Sequence, residues 1–231
     1  MAQPPVSLPL SSRPFPSGSP SRSRLAGLVA GVLLLLATGC KTVEPMSINP
    51  SFTTATALLT RSPAEVAVMP VEDASPGGAA TRHLVFLRQE LMRQLVDRKY
   101  TPLTASTVDA AMRGNADVAA ARSTGGSILE PAVFQKLAGH SSEDAMMIFR
   151  VDQWDESSLM VTKRVNFRCQ AALVGNDGQQ LWFGTLSGEI KAGGVGAAPL
   201  DRDSMARSCG EMMIREVLLR LPEHQPTGVG R

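Results

Sequence analysis

The chain has 231 residues, 43% hydrophobic and 19% charged, which is enough apolar material for one or two packed domains and too little charge for a disordered chain. Its formal charge of +2 comes wholly from the first 39 residues, which carry Arg13, Arg22 and Arg24 and no acid; from Cys40 onward 20 basic residues face 21 acidic ones. That balance offers no basic face for nucleic acid, and ten aromatic residues are too few for a stacking platform.

Residues 1–24 are rich in Pro, Ser and Arg. Leu25 to Ala37 is then an uncharged apolar run of 13 residues, short of the roughly 20 a membrane-spanning helix needs. With Arg22 and Arg24 at its mouth and no polar face, it reads as the apolar segment of a secretory signal peptide. Ala37-Thr38-Gly39-Cys40 follows. It resembles the lipobox of bacterial lipoproteins, with Ala37 where that pattern prefers Leu. The resemblance implies that residues 1–39 are removed and that Cys40 becomes the lipidated N-terminus. One acyl chain binds a membrane only marginally, at about 0.8 kcal/mol per buried methylene; the three chains of such lipoproteins make a permanent anchor. Lys41 stands where enterobacterial lipoproteins kept in the inner membrane have Asp, which implies the outer membrane, facing the periplasm.

Residues 40–63 show no sustained periodicity and read as a lipidated flexible tether, with one short ordered piece at Thr54 to Leu59. A flexible chain of that size spans roughly 25 to 30 Å. Residues 64–221 carry the folded domain. Glu65 to Val71 is an apolar, β-branched run closed by Glu72-Asp73 and Ser75-Pro76-Gly77-Gly78, hence a buried strand and a loop. Thr81 to Arg98 has the helical stripe Leu84, Leu87, Leu91 and Leu95. Lys99 to Leu103 is a second short strand. Ser106 or Thr107 caps a brief helix ending at Gly114, residues 115–127 give little signal, and Glu130-Pro131 opens another helix that stops before Gly139.

The second half is strand-rich. Ala145 to Val151 and Leu159 to Val174 are strands, and in the second Val165, Phe167, Cys169, Ala171 and Leu173 share a face, with Asn166, Arg168 and Gln170 on the other and Lys163 breaking strict alternation. Asn176-Asp177-Gly178 supplies a hairpin turn, and Gln180 to Ile190 returns as its partner. A glycine-rich loop, Gly193 to Ala198, leads to a helix opening at Asp201 or Asp203, with the stripe Met205, Cys209, Met213, Val217 and Leu221. Pro222 stops it, and residues 222–231 are a polar tail. The order predicts a single α/β domain, with helices packed on a mixed sheet that ends in an antiparallel meander and a terminal helix.

The run VAVMPVEDASPGG, the helix end LMRQLVDRKY, the phrase TPLTASTVDAAM and the hairpin LVGNDGQQLWFGTLSGE occur in that order. Together they resemble the superfamily that includes the curli-secretion lipoprotein, the lipoprotein activators of penicillin-binding proteins and the N-terminal domain of TolB. The resemblance spans about Glu65 to Ile190 and marks strands and turns. It implies a binding or assembly module for other envelope proteins and no catalysis. Leu159 to Ile190 is too polar on both faces for the membrane-inserting hairpins of the pore-forming branch.

The chemistry-bearing residues are scattered. His83, His140 and His224 lack partners at metal-ligand spacing and read as surface histidines, so neither a metal nor a cofactor is indicated. His140-Ser141-Ser142-Glu143-Asp144 has the residue types of hydrolysis, but triads assemble from distant positions, so a polar loop capping the next strand is favoured. Asp152, Asp155 and Glu156 surround Trp154 at a predicted hairpin tip, where solvated carboxylates are expected. Trp154 fits either an exposed partner contact or the core. Gly194 to Pro199 resembles a phosphate-binding turn but lacks the third glycine. The alternative function is a periplasmic hydrolase or small-ligand binder built around His140, Asp144 and the loop at Gly194. With Cys40 lipidated, Cys169 and Cys209 remain in an oxidising compartment on two apolar faces. They are either a disulfide, at Cα atoms roughly 4.4 to 6.8 Å apart, or two buried thiols.

Overall fold

The computed structural model describes residues 45–113, 127–192 and 201–226. The segment expected to be a signal peptide, Cys40, most of residues 115–127 and the loop Gly193 to Ala198 lie outside the described residues. Seven strands are described: β1 (Pro45–Thr54), β2 (Glu65–Val68), β3 (Glu72–Asp73), β4 (Thr101–Pro102), β5 (Ala145–Asp155), β6 (Arg164–Gly175) and β7 (Gln180–Lys191). The described helices are α1 (Thr56–Arg61), α2 (Leu84–Asp97), α3 (Ala105–Arg113), α4 (Pro131–Leu137), α5 (Leu159–Thr162) and α6 (Arg202–Leu218). The strands form one mixed sheet in the order β1-β7-β6-β5-β2-β4, with β3 beside β5. β2 and β3 run parallel to β5 and β4 parallel to β2, while β5, β6, β7 and β1 are antiparallel neighbours. This is the mixed-sheet α/β architecture, with its meander and terminal helix, that the sequence predicts.

Two helical stripes cover one face of the sheet. Leu87, Leu91 and Leu95 of α2 and Cys209, Met213 and Val217 of α6 share one continuous core with Val165, Phe167, Cys169, Ala171 and Leu173 of β6. Each fully buried Leu or Phe side chain contributes about 1.5–3 kcal/mol of transfer free energy. α6 starts where Asp201 accepts the Ser204 N–H at 2.8 Å, a choice the sequence left between Asp201 and Asp203. On the other face α3 and α4 cover only the part of the sheet around Met146, Ile148, Ala172 and Val174. Arg88 ties the two layers together: its guanidinium donates to the Val68 carbonyl at 3.0 and 2.8 Å and meets Asp109 of α3 at 2.7 Å.

Three expectations need correction. Residues 45–54 are a strand rather than tether, because Ile48 and Phe52 pack against the core opposite Gly188 and Gly184 of β7. Pro50 hid this strand in the sequence; as the outermost strand of the sheet, β1 tolerates a missing N–H. The close approach depends on glycine: a Cβ at Gly188 would overlap the Ser47 carbonyl, and one at Gly184 would meet the Phe52 ring at 2.6 Å. Second, Leu159 to Val174 is not one strand. Leu159–Thr162 is a helical turn, Lys163 has φ +58, and β6 begins at Arg164, so the lapse in alternation at Lys163 marks the real boundary. Third, the cap of α3 is Thr104, whose Oγ1 accepts the Thr107 N–H at 3.3 Å, rather than Ser106 or Thr107.

The hairpin turn forms as expected. Gly178 sits at φ +78, and a Cβ there would meet Gln135 of α4 at 2.9 Å, so the position needs glycine for conformation and for space.

Candidate functional site

On the half of the meander that α3 and α4 leave uncovered, cross-strand pairing lines up polar side chains in rows. Ser51, Thr185, Gln170 and Arg150 form one row, and Asn49, Ser187, Arg168 and Gln153 the next. Ser47, Glu189, Asn166 and Asp155 form a third. All are half-buried or exposed. Four strands about 4.8 Å apart and three rows two residues apart make a platform roughly 15 Å on a side. Part of it is fixed in place. Asp152, the extra residue of a bulge between Val151 and Gln153, accepts from Arg150 Nε at 2.7 Å and from Gln170 Nε2 at 2.8 Å. Arg164 meets Glu189 at 3.1 Å. The surface therefore offers oriented donors and acceptors on a rigid sheet. The sequence reading found its β6 members but not Ser47, Asn49 and Ser51. Their signal is the alternation with Ile48 and Phe52, interrupted by Pro50.

The loop before β5 is structural. Glu143 is buried and accepts from the Gly139 N–H at 2.8 Å and the Ser141 N–H at 2.6 Å. Asp144 accepts from the N–H groups of Ala64 and Glu65, both at 2.9 Å, pinning the start of β2 beside β5. His140 is exposed and donates to the Lys136 carbonyl at 2.8 Å. The carboxylates close backbone hydrogen bonds, as the strand-capping reading predicts, while His140 bonds back to the end of α4.

The far end of β5 departs from expectation. His83 is not a surface residue: it is 6% exposed, its ring packed in a tilted arrangement 5.2 Å from that of Trp154, itself buried, with Glu156 Oε2 at 3.4 Å. Arg82 Nε donates to His83 Nε2 at 3.1 Å. Burial is the main reason its pKa falls below the usual histidine value; the Glu156 carboxylate opposes that and Arg82 adds to it. The imidazole is thus neutral at pH 7. Glu156 is no solvated turn residue either, since Arg82, Arg202 and the Trp154 N–H converge on it. Trp154 belongs to the core and is not a free contact. Asp155, by contrast, ends β5 and caps the turn that follows it, accepting the Ser157 N–H at 2.9 Å.

Cys169 and Cys209 are both buried and unbonded, so the disulfide alternative does not hold in this structure. Both share the core between β6 and α6. Burial first, and then Asp152, push the Cys169 thiol up; burial and Glu156 push Cys209 up to about 12, and neither is a thiolate at neutral pH. Among the described residues no group of three or more His, Cys, Asp or Glu is placed to hold a metal ion, and no described helix is long and apolar enough to cross a membrane.

An open groove of about 710 Å³ lies at the hairpin end of the sheet, lined in part by Arg61, Asp144, Asp177 and His224. Arg61 and Asp177 pair across it at 2.6 Å, and the Arg61 guanidinium holds the Asp177 carboxyl below the usual range. His224 is packed at 6.0 Å from the Tyr100 ring and hydrogen-bonded to Ser62. The groove brings Asp144 to His224, not to His140, and the loop at Gly194 lies outside the described residues.

No protein-family model matches the chain, and no curated protein does. Among solved structures, a PelC dodecamer from Paraburkholderia phytofirmans is 14% identical with a TM-score of 0.46, covering 78% of this chain and 100% of that one. Lipoprotein GNA1162 from Neisseria meningitidis is 18% identical with a TM-score of 0.42, covering 69% and 98%. The LpoB C-terminal domain from Salmonella enterica is 15% identical with a TM-score of 0.34, covering 55% and 82%. Likenesses at this level do not carry function from one chain to another.

Proposed function

We propose that this chain is a lipid-anchored cell-envelope protein whose α/β domain is a non-catalytic binding or assembly module for other envelope proteins. The anchor is Cys40, behind the 13-residue apolar run and the small residues Ala37, Thr38 and Gly39. Lys41 supports the outer membrane as its destination, with the domain in the periplasm. The observation that carries the binding role is the polar platform on β1, β7, β6 and β5. Non-obligate protein interfaces are about as polar as the rest of a protein surface and rich in hydrogen bonds, and this surface has that character. At roughly 15 Å on a side it is the centre of a contact, since a typical partner surface buries about 800 Å².

The test is photocrosslinking in cells from Arg168 and Ser187 on the platform, with Leu219 of the opposite layer as reference. Discrete protein adducts from the first two support the reading. A folded protein that yields none from either overturns it. The anchor is tested separately: Cys40→Ala must abolish palmitate incorporation and leave the precursor uncleaved at that site.

A further inference from the structure

We infer that the corner of the sheet where β1 begins rests on the membrane surface, with Met160 and Val161 entering the boundary between headgroups and acyl chains. This rests on the acylation of Cys40. Val161 is 86% exposed and Met160 58%, an adjacent apolar pair on the surface. They sit on a braced turn: Leu159 beneath them is buried, the Lys163 N–H returns to the Leu159 carbonyl at 2.9 Å, and the Ala192 N–H donates to the Lys163 carbonyl at 2.6 Å. Folding thus holds two apolar side chains outward.

Strand register fixes where this turn lies. Pro45 pairs with Ile190, Ile190 with Val165, and Lys191 with Arg164, so the turn before β6 and the start of β1 share one end of the sheet. Four residues, Lys41 to Glu44, separate Cys40 from Pro45. At no more than about 3.6 Å per residue, an acylated Cys40 holds the start of β1 within about 18 Å of the bilayer surface. The hairpin turn at Asn176 to Gly178 lies at the opposite end of β7, a strand of 12 residues, about 40 Å away. The end bearing Met160 and Val161 is therefore the one the anchor brings to the lipid.

The charges fit an anionic surface. Lys163 and Lys191 flank the apolar pair, are exposed, and form no ion pair among the described residues. Acids on the adjoining segments are engaged: Glu189 with Arg164, Glu156 with Arg82 and Arg202, and Asp203 with Arg82, while Asp201 caps α6. Asp155 is turned to the Ser157 N–H. Two apolar side chains reach only the headgroup–acyl boundary, so the contact orients an anchored domain and does not replace the anchor.

The experiment places a benzophenone side chain at Val161 of the full chain, and separately at Leu59, which is 66% exposed on α1 at the hairpin end. After irradiation in cells, peptides are scored for phospholipid adducts, and the N-terminal peptide for acyl chains. Several-fold more lipid adduct at 161 than at 59, in acylated protein, supports the inference. Equal adducts at both positions, none at 161, or a protein adduct at 161 instead of a lipid one overturns it while leaving the anchor intact. An N-terminal peptide without acyl chains overturns the anchor, and the docking falls with it.

Discussion

The two faces of β6 are built from alternate residues of one segment and serve different ends. Val165, Phe167, Cys169, Ala171 and Leu173 are sealed in the core they share with α2 and α6, at most 2% exposed. Between them Asn166, Arg168 and Gln170 look out onto the polar platform. Stability is concentrated on the first face and exposed polar chemistry on the second. The difference shows how a surface can be altered without unfolding the strand that presents it.

The sharpest way to break that comparison is to truncate one residue on each face. Leu173→Ala should cost about 2–5 kcal/mol in denaturant unfolding, through lost transfer energy and the cavity left behind. A cost below about 1 kcal/mol would mean that the sealed face does not hold the fold. At the seam between β7 and β1, Gly188→Ala forces the Ser47 carbonyl away. About 1–3 kcal/mol of destabilisation is expected, with faster amide exchange in β1 than in β5; unchanged exchange would contradict the observed packing.

The buried imidazole of His83 gives a smaller, pH-dependent effect. Its folded pKa lies below the ordinary 6.5, so as the pH falls through 6.5 the unfolded chain binds the proton first. Stability should therefore be full above that value and decline on acidification. His83→Gln should remove that component of the slope, and a wild-type profile flat from pH 7 to 5 would show that burial does not depress the group. On the open face, Arg168→Ala should change stability by no more than about 0.5 kcal/mol while weakening crosslinks from neighbouring Ser187. The smallest expected effect is none at all: a reductant should leave the melting temperature unchanged. Alkylation should label Cys169 and Cys209 only on unfolding, and a reductant-dependent shift would reinstate the disulfide.

Much of the fold was legible because its signals are local. The Leu stripe of α2, Pro131 opening α4, the Asp177-Gly178 turn and the i, i+4 stripe of α6 each depend on a few neighbouring residues. β1 was not legible, since Pro50 interrupts its alternation and its partner residues lie 128 to 145 positions away. The same limit applies to the platform, whose rows exist only once four strands are in register. Local pattern did disclose Asn166, Arg168 and Gln170 as one face.

The sequence by itself determined the apolar segment and the lipobox-like residues before Cys40, the order of most helices and strands, and which face of them is apolar. These follow from composition and periodicity along the chain. Only the tertiary structure decided that residues 45–54 join the sheet, that His83 and Trp154 are interior, that the two thiols share a core unbonded, and that Met160 and Val161 stand at the same end of the sheet as the start of β1. Each of those depends on strand register and on how helix and sheet are set against one another, and a side-chain period fixes a face without fixing what meets it.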